Sequence, residues 1–128
     1  MKKLSLTTLF YLVTQQELNQ IVEFNYKKIP PRANPQNMFY ALLNGSYAEQ
    51  LAYDWNIETE TQSNTVHVVS VDLPTDYLEQ FLVQSIATDF ESELWILTTE
   101  LENFNQQIIG RVKLVKSFLG NRLIKIAV

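Results

Sequence analysis

The sequence predicts a single α+β domain of short strands and short helices, on three observations. Segments rich in β-branched and aromatic residues outnumber helical segments and do not alternate regularly with them, which argues against a doubly wound sheet. A length of 128 residues suits one domain, and 46% hydrophobic residues, with 12% aromatic, are enough to bury one core. No internal repeat and no second domain is visible along the chain.

Residues 4–13 are rich in β-branched and aromatic side chains and predict a strand. Thr14-Gln15-Gln16-Glu17 then supplies a Thr-x-x-Glu capping box, so the strand feeds a helix with Leu18, Ile21 and Val22 as its apolar face. Three prolines in Ile29-Pro30-Pro31-Arg32-Ala33-Asn34-Pro35 forbid a helix and predict a stiff loop carrying one cation. Residues 38–43 read as a strand. Ser46 with Glu49 predicts a second capping box, opening a helix whose Tyr47, Leu51 and Trp55 share a face. The polar residues 56–64 predict an exposed loop. Residues 65–73 predict a strand, followed by Pro74 and a helical turn begun by Thr75 or Asp76. Residues 81–87 and 94–97 are further strands flanking the acidic segment 89–93. Thr99 with Glu102 predicts a helix reaching Gly110, residues 112–118 a last strong strand, and residues 123–128 an edge strand.

The amino terminus superficially resembles a signal peptide. Ser5, Thr7 and Thr8 interrupt its apolar run and no small-residue cleavage site follows, so the expectation is a buried strand in a cytoplasmic protein. No stretch approaches the ~18 apolar residues of a membrane-spanning helix. Charge is distributed unevenly. Residues 33–110 hold 12 Asp or Glu and no Lys or Arg, whereas the two ends hold all 10 basic residues with only Glu17 and Glu23. A basic stripe for nucleic acid cannot come from the middle of this chain, so no nucleic-acid partner is expected, and a basic protein is the better electrostatic match. With no Cys and only His67, Cys/His zinc sites, cysteine nucleophiles and disulfides are excluded, and no metal is expected. His67 lies mid-strand, where a hydrogen-bonded strand histidine is expected over a catalytic triad. Gly45, Gly110 and Gly120 stand too far apart to form a phosphate loop.

Glu-x-Glu pairs occur at Glu58/Glu60, Glu91/Glu93 and Glu100/Glu102, and with 14 acids in the chain spacing alone is uninformative. Placement separates them. The first pair lies in the polar loop, and the third in a helix's first turn, where the helix dipole favours carboxylates. Glu91 and Glu93 run directly into the apolar strand Leu94-Trp95-Ile96-Leu97 and, if extended, point to one side. The aromatic set Phe39, Tyr40, Tyr47, Tyr53 and Trp55 is most economically core, although a nicotinamide ring could stack between two of its tyrosines.

The order of these pieces carries a resemblance. Ile29-Pro30-Pro31-Arg32, then Met38-Phe39-Tyr40-Ala41-Leu42-Leu43-Asn44 with Tyr47-Ala48 and Asp54-Trp55-Asn56, resembles the small bacterial ADP-ribosylation/crystallin-J-like proteins. So does Glu93-Leu94-Trp95-Ile96 with Leu101, Phe104-Asn105 and Ile109-Gly110 after it. The resemblance covers about residues 9 to 118. It implies the split, mostly antiparallel sheet of ADP-ribosyltransferases. By the same resemblance NAD is the co-substrate, Tyr40 and Tyr47 flank the nicotinamide with Ser46 beside them, Glu93 is the catalytic glutamate, and Glu91 is the first acid of the pair.

A carboxylate near the ribose would stabilise the oxocarbenium character that develops as the nicotinamide–ribose bond breaks, and Glu91 could orient or deprotonate the acceptor. One departure concerns the phosphates. The family's first strand reads Tyr-Arg, whereas here Leu12 follows Tyr11. Arg32, the only arginine before residue 111, is the remaining candidate for the cofactor's phosphates. The expected function is therefore NAD-dependent ADP-ribosyl transfer or NAD hydrolysis. The alternative is an inactive member of the fold that binds a basic protein through its acidic middle. A third, weaker reading, NAD-dependent removal of a 2′-phosphate from RNA, lacks the cations it needs between residues 33 and 110.

Overall fold

The computed structural model describes residues 5–32, 38–58, 65–85 and 92–119. Their elements run β1 (Leu6–Thr14), α1 (Gln15–Glu23), β2 (Met38–Leu42), α2 (Gly45–Glu58), β3 (Val66–Pro74), α3 (Thr75–Leu78), β4 (Leu82–Ser85), β5 (Ser92–Leu97), a 3₁₀ turn (Thr98–Glu100), α4 (Leu101–Gln107) and β6 (Ile109–Phe118). The chain is α+β, as expected. One six-stranded sheet has the order β4-β5-β2-β1-β3-β6, and each of its neighbouring pairs is antiparallel.

The pairing is uneven. β1 and β3 register over nine residue pairs, from Leu6↔Pro74 to Thr14↔Val66, whereas β1 meets β2 at one, Phe10↔Leu42. Alternation along these strands sends two sets of side chains to opposite faces. Leu9, Tyr11, Val13, Val71, Leu73, Ala41, Leu94 and Ile96 point to one face, where Ile21 of α1, Ile29, Leu78 of α3 and Phe104 of α4 close the main core. Leu42, Val66 and Val68 point to the other, under Ala48 and Ala52 of α2. β3 is buried on both faces from Val66 to Val71, taking His67 and Ser70 inside with its valines. Each of its fully buried valines, Val66, Val68 and Val69, contributes about 1.5–3 kcal/mol.

The first helix starts as the sequence predicts. Thr14 Oγ1 accepts from the Glu17 amide at 3.1 Å while the Thr14 amide donates to Glu17 Oε1 at 2.9 Å. Val22 departs from the expected apolar face and is exposed, because in so short a helix only Ile21 and Leu18 reach the sheet. The second helix starts two residues early. Its cap is Asn44, whose Oδ1 accepts from the Tyr47 amide at 2.9 Å, so Ser46 lies inside the first turn and the Ser46/Glu49 box does not open it. Gly45 lets that turn sit on Phe10, since a Cβ there would lie 3.0 Å from Phe10 Cζ.

The predicted Thr99/Glu102 box also fails. A 3₁₀ turn occupies Thr98–Glu100, α4 begins at Leu101 without a side-chain cap, and it ends at Gln107. Gly110 lies in β6 with φ +77°, a conformation that favours glycine. β4 begins at Leu82, one residue after the predicted start, and residues 86 and 87 of that prediction lie outside the described residues; β5 is longer than 94–97 because it is flanked by β2 and β4. Segment 123–128 and Glu91 lie outside the described residues. No helix among the described residues is long and apolar enough to cross a membrane.

Candidate functional site

Register brings three chemistry-bearing side chains together on the face that α2 only partly covers. In β2 and β5, Tyr40 stands opposite Trp95 and Leu42 opposite Glu93. Leu42 packs beneath α2, so Tyr40, Trp95 and Glu93 emerge on that same face. The α2 helix lies over β1, β2 and β3 and extends to β6, leaving Tyr40 43% exposed. The Tyr40 and Trp95 rings meet edge to face, with centroids 5.5 Å apart. Trp95 Nε1 donates to Glu93 Oε1 at 3.0 Å, which orients the carboxylate beside the aromatic pair. Trp95 was not singled out from the sequence, although its position two residues after Glu93 in a strand is the signal that places both on one side.

Tyr47 and Ser46 lie in the first turn of α2, on the same side of the sheet. Ser46 is exposed, and Tyr47 packs against the cluster containing Leu42. Arg32 is elsewhere. Its guanidinium lies over the Tyr11 ring at 4.9 Å, and Tyr11 belongs to the core of the opposite face. Arg32 Nη1 donates to Glu17 Oε1 and Oε2 at 2.9 and 3.1 Å, and Nη2 donates to the Leu12 carbonyl at 2.7 Å. Burial raises the Tyr11 phenol above its ordinary value, and the adjacent Arg32 partly offsets this. The structure therefore joins Tyr40 to Glu93 and places Arg32 across the sheet from both.

The cations of β6 are distant as well. Between β5 and β6 lie β2, β1 and β3, so four inter-strand steps of about 4.8 Å separate them by roughly 19 Å. There Lys113 and Lys116 approach Asp72 and Glu49 at 3.7 and 3.5 Å. His67 is buried and bonded through both ring nitrogens, Nδ1 with Ser117 Oγ at 2.6 Å and Nε2 with Gln15 Oε1 at 2.8 Å. This matches the expected hydrogen-bonded strand histidine. Near α4, the Tyr77 hydroxyl donates to Glu100 Oε2 at 2.6 Å. Burial, then that bond, raises the phenol well above its usual value, while the bond chiefly lowers the Glu100 carboxyl.

A cavity of about 10 Å³ lies in the main core, lined by Leu9, Tyr11, Ile29, Phe39, Ala41, Val71 and Phe104. It is apolar and no larger than a water molecule, too small for a cofactor ring. Among the described residues no group of three or more His, Asp or Glu is arranged to hold a metal ion. Compared with known proteins, the chain matches no family model, no curated protein and no solved structure.

Proposed function

We propose that the protein is an ADP-ribosyltransferase-like module that binds the nicotinamide end of NAD at Tyr40, Trp95 and Glu93. The observation that carries the reading is the hydrogen-bonded Trp95–Glu93 pair beside the exposed Tyr40 ring. The nicotinamide of NAD is a planar cation, and aromatic faces next to a carboxylate attract such a group. The near-interruption of the sheet at Phe10↔Leu42 supports the likeness to a split sheet.

In this reading Glu93 stabilises the oxocarbenium character of the ribose as its bond to nicotinamide breaks, and neutral nicotinamide leaves with the bonding pair. Water or an acceptor side chain then adds at the same carbon and gives up its proton, with Glu91 as the acceptor-orienting acid. Tyr47 and Ser46, in the first turn of α2, form the side of the site nearest the helix.

A second reading is favoured by the commitment of Arg32 to Glu17 and Leu12. Without that guanidinium for the pyrophosphate, the same aromatic and acidic face suits a Lys or Arg side chain of a basic protein partner, with no chemistry. The deciding experiment incubates labelled NAD with the wild type and Glu93→Ala, following nicotinamide release, protein labelling and melting temperature. The catalytic reading expects release that Glu93→Ala loses, together with a melting shift at millimolar NAD. Equal release from both proteins removes Glu93 from catalysis. No shift and no release, with an Arg-rich peptide binding the wild type but not Glu93→Ala, selects the second reading.

A further inference from the structure

We propose that the outer edge of β6 takes up an extended acidic segment of a partner protein as an added strand. Among the described residues β6 pairs with β3 alone, so it ends the sheet. Ile109, Leu114 and Val115 are exposed along it, and Leu119 follows at 62% exposure. It also carries Arg111, Lys113 and Lys116 and no acid. Its ladder to β3 is irregular at Val68/Val69 and Ser70/Asp72.

Lysines and bulges on an edge strand normally repel further strands. Here they discriminate between strands by charge. A second copy of β6 would set Lys and Arg against Lys and Arg, and like charges directly opposite destabilise a pair. The residues after Leu119 carry Arg122 and Lys125 and no acid, so their charge does not complement this edge. A segment alternating acids with apolar residues reverses both effects. Its carboxylates would meet Lys113 and Lys116, whose side chains are 69% and 53% exposed and whose intramolecular partners stand at 3.7 and 3.5 Å. Its apolar residues would cover Leu114 and Val115, while main-chain hydrogen bonds would supply affinity. This surface is independent of the Tyr40–Glu93 face, roughly 19 Å across the sheet.

The test titrates the full chain with a soluble peptide of about nine residues alternating Glu and Val, and with its Lys–Val counterpart, by fluorescence anisotropy and amide exchange. The expected result is salt-sensitive binding of the acidic peptide alone, slowing exchange of amides within 109–118. Lys113→Glu with Lys116→Glu should weaken it about tenfold. If that variant does not fold, Lys113→Gln with Lys116→Gln gives the same readout with a smaller loss. No binding at about 1 mM peptide, equal binding of the Lys–Val peptide, or protection elsewhere than β6 overturns the proposal. Unchanged affinity in the folded variant, or dimerisation of the free chain through β6, overturns it equally.

Discussion

Replacing Arg32 with Ala separates a structural brace from a cofactor contact. The guanidinium makes three kinds of contact, and each can be sized. Its pair with Glu17 is made by a side chain 34% exposed, so solvent screening limits it to about 0.5–1 kcal/mol. The 2.7 Å bond to the Leu12 carbonyl adds about 1 kcal/mol, and the stack on Tyr11 about 0.5–1 kcal/mol. Arg32→Ala should therefore cost about 2–3 kcal/mol, roughly 6–12 °C in melting temperature for a chain of this size. Urea denaturation followed by tryptophan fluorescence measures the loss. Glu17→Gln keeps a capping-box acceptor while removing its charge, so a double-mutant cycle isolates the ion pair, with an expected coupling of about 0.5–1 kcal/mol. A loss below about 0.5 kcal/mol with zero coupling would refute the brace. If stability holds while an NAD-induced melting shift disappears, Arg32 contacts the cofactor and the placement argued above is wrong.

Asn44→Ala should cost about 1 kcal/mol by leaving the Tyr47 amide uncapped, whereas Ser46→Ala should be near neutral for folding; urea midpoints showing the reverse order would restore the Ser46 cap. Leu9→Ala should cost about 3–5 kcal/mol, because the side chain is fully buried beside an existing cavity, and a loss under about 1.5 kcal/mol would show that this core collapses to fill the space. Burial holds the His67 imidazole below its ordinary 6.5. Its contribution to stability is thus complete above about pH 6.5 and is lost as pH falls through the lower folded value, because the unfolded chain gains a proton that the folded chain resists. Urea midpoints measured from pH 7.5 to 5 should fall less in His67→Gln than in the wild type, and identical slopes would exclude His67 as a source.

Local signals were legible and long-range ones were not. The Thr14/Glu17 box involves four consecutive residues, so sequence suffices to find it. At the second helix the sequence points to Ser46 while the structure uses Asn44, and the turn between them packs on Phe10, a contact between residues far apart in sequence. β5 takes in the polar Ser92 and Glu93 because strands flank it on both sides, which alternation cannot reveal. The juxtaposition of Tyr40 with Glu93 depends on one register, Leu42↔Glu93, and a slip of one residue would send Glu93 into the main core. The position of Arg32 was illegible for a related reason. A loop of prolines fixes extension and leaves open which face of the sheet its cation reaches.

The charge partition acquires a spatial meaning from the strand order. The basic carboxy-terminal strand does fold back on the acidic middle, through Lys113–Asp72 and Lys116–Glu49, but at the edge opposite β5. The amino-terminal cation Arg32 is held on the other face by Glu17. Among the described residues neither group therefore compensates the charge of Glu93. A cationic ring or side chain gains from that arrangement, whereas a pyrophosphate placed beside Glu93 would be repelled. If NAD binds, its phosphates must extend away from β5, and its affinity should weaken only slightly with salt. A basic protein held by the same acidic face should lose affinity steeply as salt rises. Titrating NAD and an Arg-rich peptide across ionic strength thus separates the two readings by slope, even where their affinities coincide.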